Sequence, residues 1–254
     1  MSFTAIIPAR LASTRLPNKP LADIGGKPMV VRTAEQVGQS AAQSIYVATD
    51  SQQVIDAIQP YGIPHLLTRA DHPTGTDRLA EAVDLLGLKD EEIVVNVQGD
   101  EPLIAPELIN AIASHLQQHP NAAIATIATP FNHDADFFNP NHVKVVCNLT
   151  GHALYFSRAP IPWARDAMQQ HSNLMAPNLG ALHHIGIYAY RASFLRQFPH
   201  LVRGPLEKHE SLEQLRALEN GFSICVYQIP QAPAQGVDTP ADLDKVREIF
   251  QNRL

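Results

Sequence analysis

EIVVNVQGDEPLIAPELINAIASHLQQHPNAAIATIAT, residues 92–129, decides the fold. It opens on an apolar β-type run, EIVVNVQ (92–98), and passes through a polar turn. It then takes helical spacing, PELINAIASHLQQH (106–119), and closes on a second β-run, AAIATIAT (122–129). Strands separated by a helix imply a mostly parallel sheet, with crossovers that are right-handed. The runs are nearly continuous in apolar residues, which suits strands covered on both faces.

The alternation continues outward. FTAIIP (3–8) and SIYVAT (44–49) read as further strands. Helical patterns fill 28–40, 51–62 and 74–87, the first opened by Pro28, the others stopped by Pro60 with Gly62 and by Gly87. After about residue 130 the pattern changes. FNHDADFFNPNH (131–142) is loop-like, and VKVVCN, ALYFSR and HIGIYAYR follow as strands without long helices between them. A helix over 205–220, a strand over 222–229 and a helix over 240–251 restore the first style. The expected architecture is α/β: a mostly parallel sheet flanked by helices, with a smaller mixed lobe. The expected division is 1–130, then a β-rich lobe over 131–190, then a return over 191–254.

The totals narrow the function. The chain has 254 residues, 45% of them hydrophobic and 17% charged, a globular balance. Its formal net charge of -6 and lack of a basic tract argue against nucleic acid as a partner. No apolar run approaches the ~20 residues that span a bilayer, so no membrane insertion is expected. MSFTAIIPAR lacks a basic n-region and a small-residue cleavage site, so it does not read as a signal peptide. Two cysteines, Cys147 and Cys225, fit a reducing cytoplasm and read as small buried hydrophobes.

Five groups carry chemistry. The loop after the first strand, ARLASTRLPNKPL, holds Arg10, Arg15 and Lys19 and no acid. It lacks both GxGxxG and GxxxxGK[ST]. Three cations suit a triphosphate's charge of about -4, since guanidinium and ammonium groups bind phosphate oxygens directly, or more plainly they make an exposed basic loop. VNVQGDEP (95–102) places Gln98, Gly99, Asp100 and Glu101 just past a strand. A carboxylate there either holds Mg²⁺ or is a turn acid. Thr74, Gly75 and Thr76 open a helix with Arg78 in its first turns, where amides attract anions. An arginine there opposes the helix dipole and calls for another partner. In GVDTPADLDKV (236–246), Thr239 and Pro240 supply an N-cap and first helical residue, with Asp242 third. Asp238 is then either a second metal ligand or a helix-terminus charge. His184 and Tyr188 share a strand face, and Glu207, Glu210 and Gln214 are spaced to share a helix face opposite the leucines, with Glu213 at its margin. These groups suit a polyhydroxylated ligand or, more plainly, a packed histidine and a solvated helix face. The histidines show no zinc spacing such as HExxH.

IIPARLASTRLPNKPL, GTDRLAE, VNVQGDEP, NPNHVKVV, YFSRAPIPW, HHIGIYAYR, LEQLRAL and GVDTPADL together resemble the 3-deoxy-manno-octulosonate cytidylyltransferase family nearly end to end. The resemblance implies a nucleotidyltransferase α/β (Rossmann-like) fold with a dimerisation lobe, and the reaction CTP + Kdo → CMP-Kdo + diphosphate with Mg²⁺. It implies a role in lipopolysaccharide synthesis and a homodimer. It assigns Arg10, Lys19 and, in the same motif, Arg15 to the CTP phosphates. Thr74, Gly75, Arg78, Gln98 and Gly99 line the nucleotide pocket, and Asp100 and Asp238 bind Mg²⁺. Arg158, His184, Tyr188, Glu210, Glu213 and Gln214 surround the sugar acid. The family has glycine where Asn18 stands, and asparagine tolerates the positive φ that a glycine there suggests.

Overall fold

The computed structural model describes residues 2–11, 16–170 and 174–252. In chain order it has β1 (Phe3–Ala9), β2 (Asp23–Ile24), β3 (Lys27–Pro28), α1 (Met29–Val37), β4 (Ser44–Thr49), α2 (Gln52–Ile58), β5 (His65–Leu67), α3 (Gly75–Leu85), β6 (Ile93–Asn96) and α4 (Pro106–Gln118). Then come β7 (Ile124–Pro130), α5 (Asp134–Phe138), β8 (Lys144–Cys147), β9 (Ala153–Ser157), α6 (Arg165–Gln170), β10 (Leu182–Arg191) and α7 (Ala192–Gln197). The chain ends with α8 (Pro205–Glu210), α9 (Gln214–Glu219), β11 (Ile224–Gln228) and α10 (Pro240–Gln251). No helix among the described residues is long and apolar enough to cross a membrane.

The chain forms two compact units. The first holds residues 1–114, 189–199 and 233–254, and the second holds 115–188 and 200–232. In the first, strands lie in the order β6-β1-β4-β5, and the pairs are parallel. Ile6, Ile7, Val47, Ala48, Val94 and Val95 are fully buried. That double-sided burial explains why these strands are apolar without alternation.

The register aligns the carboxyl ends. Ile6 pairs with Asn96, and Ala9 pairs with Thr49. Arg10, Asp50 and the turn at 98–100 therefore fall on one edge of the sheet, where open α/β sheets bind ligands. β1 continues past Pro8 to Ala9, one residue beyond the run expected from sequence. Ile6 O accepts from Val97 N at 3.1 Å, so Pro8, two residues on, turns its nitrogen to the same side. The last pair with β6 is Ile6 with Asn96, so the missing N–H interrupts no ladder bond.

In the second unit the order is β11-β7-β10-β8-β9. β11 and β7 are parallel, whereas β10 with β8 and β8 with β9 are antiparallel. The antiparallel excursion foreseen from sequence is present. Pairing of β7 with β11 brings residues of the 200–232 stretch into this unit.

Two expectations are corrected. The 131–142 segment contains α5 rather than loop alone. The helix expected over 205–220 is two helices, parted at Ser211, whose φ of 52° is left-handed. A tertiary contact explains the break: Glu207 on α8 takes both Arg216 Nε (2.8 Å) and Arg216 Nη2 (2.7 Å) from α9, in a buried pair. Glu207, Glu210 and Gln214 therefore do not form one solvated face.

Candidate active site

The opening loop ends on a strained residue. Asn18 has φ 55° and ψ 31°, the left-handed conformation that its amide side chain tolerates. Lys19 begins a single 3₁₀ turn there. Contrary to the expectation of an exposed loop, only 14% of the Lys19 side chain is accessible. Its ammonium donates to Asp100 Oδ2 and, at 3.0 Å, to Asp238 Oδ1. Burial opposes the lysine's charge, but Asp100 and then Asp238 outweigh it, and the Lys19 pKa is raised.

Three pieces of backbone bring this cluster together. Gly99 lies against β1, and a Cβ there would stand 3.1 Å from Pro8 O. The Asp100 carbonyl accepts from Val237 N at 2.8 Å, which docks the 236–238 segment on the turn. Gly236 allows that approach, since its Cβ would stand 2.7 Å from Glu101 Oε1 and 3.2 Å from Asp100 O. α10 anchors the segment by burying Leu243, Val246 and Phe250 with Ile24, Met29 and Val237. Its start has the expected Thr239 N-cap, which the structure completes as a capping box: Thr239 Oγ1 accepts from Asp242 N at 3.2 Å, and Thr239 N donates to Asp242 Oδ2 at 3.0 Å. Asp238 is thus spared for Lys19.

Glu101 is the residue that sequence reasoning passed over. Burial, then the charges of Asp100 and Asp238, push its carboxyl up to about 8 against the pull of Lys19. The signal was its position beside Asp100, which spacing alone could not weigh. Asp100 and Asp238 converge on one cationic atom and offer hard oxygen donors, so these two residues fit a Mg²⁺ ion.

Thr74 caps α3, accepting from Asp77 N at 3.2 Å, and Gly75 is exposed beside it. Arg78 is not exposed. It is 4% accessible, with Nη2 3.0 Å from Asp50 Oδ2 and Nη1 bonded to Thr68 Oγ1. Asp50 is the partner that the dipole argument required. Arg10 and Gln98 are exposed on the sheet edge, and Arg15 lies outside the described residues.

The residues expected around the sugar lie in the second unit. His184 is 9% accessible, with Nε2 2.9 Å from Thr126 Oγ1 and its ring 5.5 Å from that of Tyr188, so the two do share a strand face. Burial, then the charge of His183, pushes its pKa down to about 3. Glu210 accepts from Ser157 Oγ (2.6 Å), Arg158 N (2.9 Å) and Tyr155 OH (3.2 Å). Burial alone would raise its pKa, but these three donors outweigh it and lower it. Arg158 Nε returns to the Glu210 carbonyl at 2.7 Å, and Nη1 reaches Pro140 O at 3.0 Å. Lys144, fully buried on β8, bonds the Asn139 and Arg158 carbonyls at 2.9 Å each. A lysine inside the apolar run VKVV was its only trace in the sequence. Glu213 is half-buried at the N-cap of α9. Gln214, 8% accessible, holds its Nε2 buried without a hydrogen-bond partner among the described residues. A buried orphan donor costs free energy unless a ligand or water meets it.

The sequence matches the cytidylyltransferase family over residues 4–224. The fold is similar to a CMP:2-keto-3-deoxy-manno-octonic acid synthetase complexed with CTP, at 39% identity and a TM-score of 0.88. That match covers 100% of this chain and 99% of the other. It is also similar to a cytidylyltransferase from Leptospira borgpetersenii serovar Hardjo-bovis (strain JB197), at 15% identity and a TM-score of 0.61. That one covers 100% of this chain and 87% of the other, and speaks for the fold alone.

Proposed function

The chain belongs to the cytidylyltransferase family, and we propose that it transfers CMP from CTP to 3-deoxy-D-manno-octulosonate (Kdo), releasing diphosphate. The observation that carries this reading is the convergence of Asp100 and Asp238 on Lys19, two acids and a cation from three distant segments. A sheet built only for packing has no use for charge held together at that edge.

The sugar's anomeric hydroxyl attacks the α-phosphorus in line, and diphosphate leaves. Such transfers ask a protein for position and charge more than for covalent chemistry. Lys19 and Arg10 hold the phosphate oxygens, with Arg15 from the same loop. Gln98, Gly99, Thr74, Gly75 and Arg78 line the nucleotide, with Arg78 held in place by Asp50. Asp100 and Asp238 would hold Mg²⁺, which supplies neutralisation of phosphate charge when bound. Lys19 keeps those two carboxylates together through its own bonds.

On the acceptor side, Arg158 offers a guanidinium for the sugar's carboxylate, and Glu210 sets its position. Gln214 offers the amide donor, and His184, Tyr188 and Glu213 complete the surround. His184 stays neutral at working pH and so serves by shape and hydrogen bonding. The product's use is lipopolysaccharide synthesis, in the cytoplasm, by a homodimer. The test is competition between acceptors. With CTP and Mg²⁺ fixed, Kdo should be consumed in preference to a sialic acid. Preference for the sialic acid would assign the chain to a different cytidylyl acceptor.

A further inference from the structure

Three potential metal ligands meet in the second unit, away in sequence from every residue assigned above. His115 and His119 stand four residues apart at the end of α4, so they share a helix face. Cys225 lies fully buried on β11. One ligand atom from each of the three lies within 4.8 Å of the others. The two imidazole rings are 4.3 Å apart, and His152 stands beside them, 5.5 Å from His119.

The hydrogen bonding already sorts the ring nitrogens. His119 Nδ1 lies 2.8 Å from the His115 carbonyl and donates to it, which puts the proton on Nδ1 and makes Nε2 the nitrogen assigned to the metal. A backbone carbonyl on one nitrogen is the arrangement that fixes tautomer and orientation in metal-bound histidines. His115 Nε2 is buried with no hydrogen-bond partner among the described residues. An apolar core has no reason to keep such an orphan, whereas a cation would satisfy it. His152 Nδ1 faces Thr150 Oγ1 at 3.2 Å, which leaves Nε2 as its ligating atom.

We propose that His115, His119 and Cys225 bind one divalent cation of the zinc class, with His152 or water as the fourth ligand. Two imidazoles and a thiolate suit a borderline-soft ion and disfavour Mg²⁺ or Ca²⁺, which take oxygen. Metal bonds of about 2.0–2.3 Å in a tetrahedron hold ligand atoms roughly 3.3–3.8 Å apart. The observed 4.8 Å limit therefore closes with an inward movement of about an ångström, within reach of side-chain torsions. The thiol proton, now turned to the Ile124 carbonyl at 3.5 Å, passes to solvent when the ion binds. The ion would tie the end of α4 to β11 and stabilise the fold by linkage.

Co²⁺ is the probe. The full-length protein, stripped with chelator and freed of it, is titrated with Co²⁺ alone. One equivalent should give a thiolate-to-cobalt charge-transfer band and the visible bands of tetrahedral cobalt, and Zn²⁺ should erase both. Zn²⁺ should also raise the melting temperature. Cys225→Ser should lose the charge-transfer band. Because Cys225 is buried, His119→Gln is the second variant, at a half-exposed position. It should keep the wild-type circular dichroism and weaken Co²⁺ binding at least tenfold. Cys147→Ser and Asp238→Asn should each keep the band. A folded wild type that shows no charge-transfer band overturns the proposal. So does a band that survives Cys225→Ser or is lost in Cys147→Ser.

Discussion

Replacing Lys19 with methionine separates holding the site together from doing chemistry in it. Methionine keeps the length and apolar stem and removes the charge. Two charge-assisted bonds are lost, each nominally about 1.5–3 kcal/mol. Exposure lowers that sum. The Asp238 side chain is 45% accessible and the Asp100 side chain 29%, so solvent screens both. Methionine also escapes the burial penalty that the ammonium bears. The net loss should be about 1–2 kcal/mol, or roughly 2–8 °C in melting temperature for a chain of this size. The direction of the lysine's shift sets the pH window. Its folded pKa lies above its ordinary value of 10.5, so this stability is fully present below about pH 10.5 and is lost only as pH rises through the folded pKa. The gap between wild type and variant should therefore stay level between pH 7 and 10. Catalysis should fall much further. Loss of a charge stabiliser aimed at the reacting group costs about 10²-fold in kcat/KM, or ~2.7 kcal/mol. Chemical denaturation and a coupled diphosphate assay, run on the same preparations, measure both. A variant that melts lower but turns over CTP within twofold of wild type would refute the reasoning, because Lys19 would then be only a structural clasp.

Glu101→Gln tests the third acid of the cluster. The wild-type carboxyl has its pKa raised to about 8, so the stability it lends is full below pH 4.5 and lost as pH rises through 8. With chelator present, the variant should match wild type near pH 4.5 and be the more stable of the two at pH 8.5, read from urea midpoints. Asp238→Asn should melt close to wild type yet lose most activity, with partial recovery at high Mg²⁺, whereas Thr239→Ala should cost about 1 kcal/mol of stability by losing the cap and change turnover less. Normal turnover of Asp238→Asn at low Mg²⁺ would reduce Asp238 to a helix-terminus charge. Gln214→Ala removes an amide whose Nε2 has no partner among the described residues, so it should raise KM for Kdo about tenfold, the ~1.4 kcal/mol of one hydrogen bond, and leave KM for CTP alone. A change in CTP use alone would place Gln214 elsewhere in the reaction.

What was legible in the sequence was local. Thr239, Pro240 and Asp242 announced a capped helix start because the parts lie within four residues, and the cap is present. The apolar runs announced parallel strands because both faces are covered. Asp100 and Asp238 could be singled out only as acids past a strand and before a helix. That they share one lysine depends on Gly236 and on the docking of α10, neither of which has a sequence period. The break at Ser211 was hidden for the same reason. The leucine spacing continues across it, and the Glu207–Arg216 pair that fixes it is a contact between helices. Glu101 and Lys144 looked ordinary because burial, not identity, makes them unusual. Cys225 joins His115 and His119 across more than a hundred residues, beyond any spacing rule.

Phosphorus NMR of CTP, Mg²⁺ and Kdo mixed with the protein tests the central claim most directly. The account predicts loss of the triphosphate signals, equimolar diphosphate and a new phosphodiester resonance of CMP-Kdo, all dependent on Kdo. CTP left intact, or diphosphate formed equally without Kdo, would contradict it.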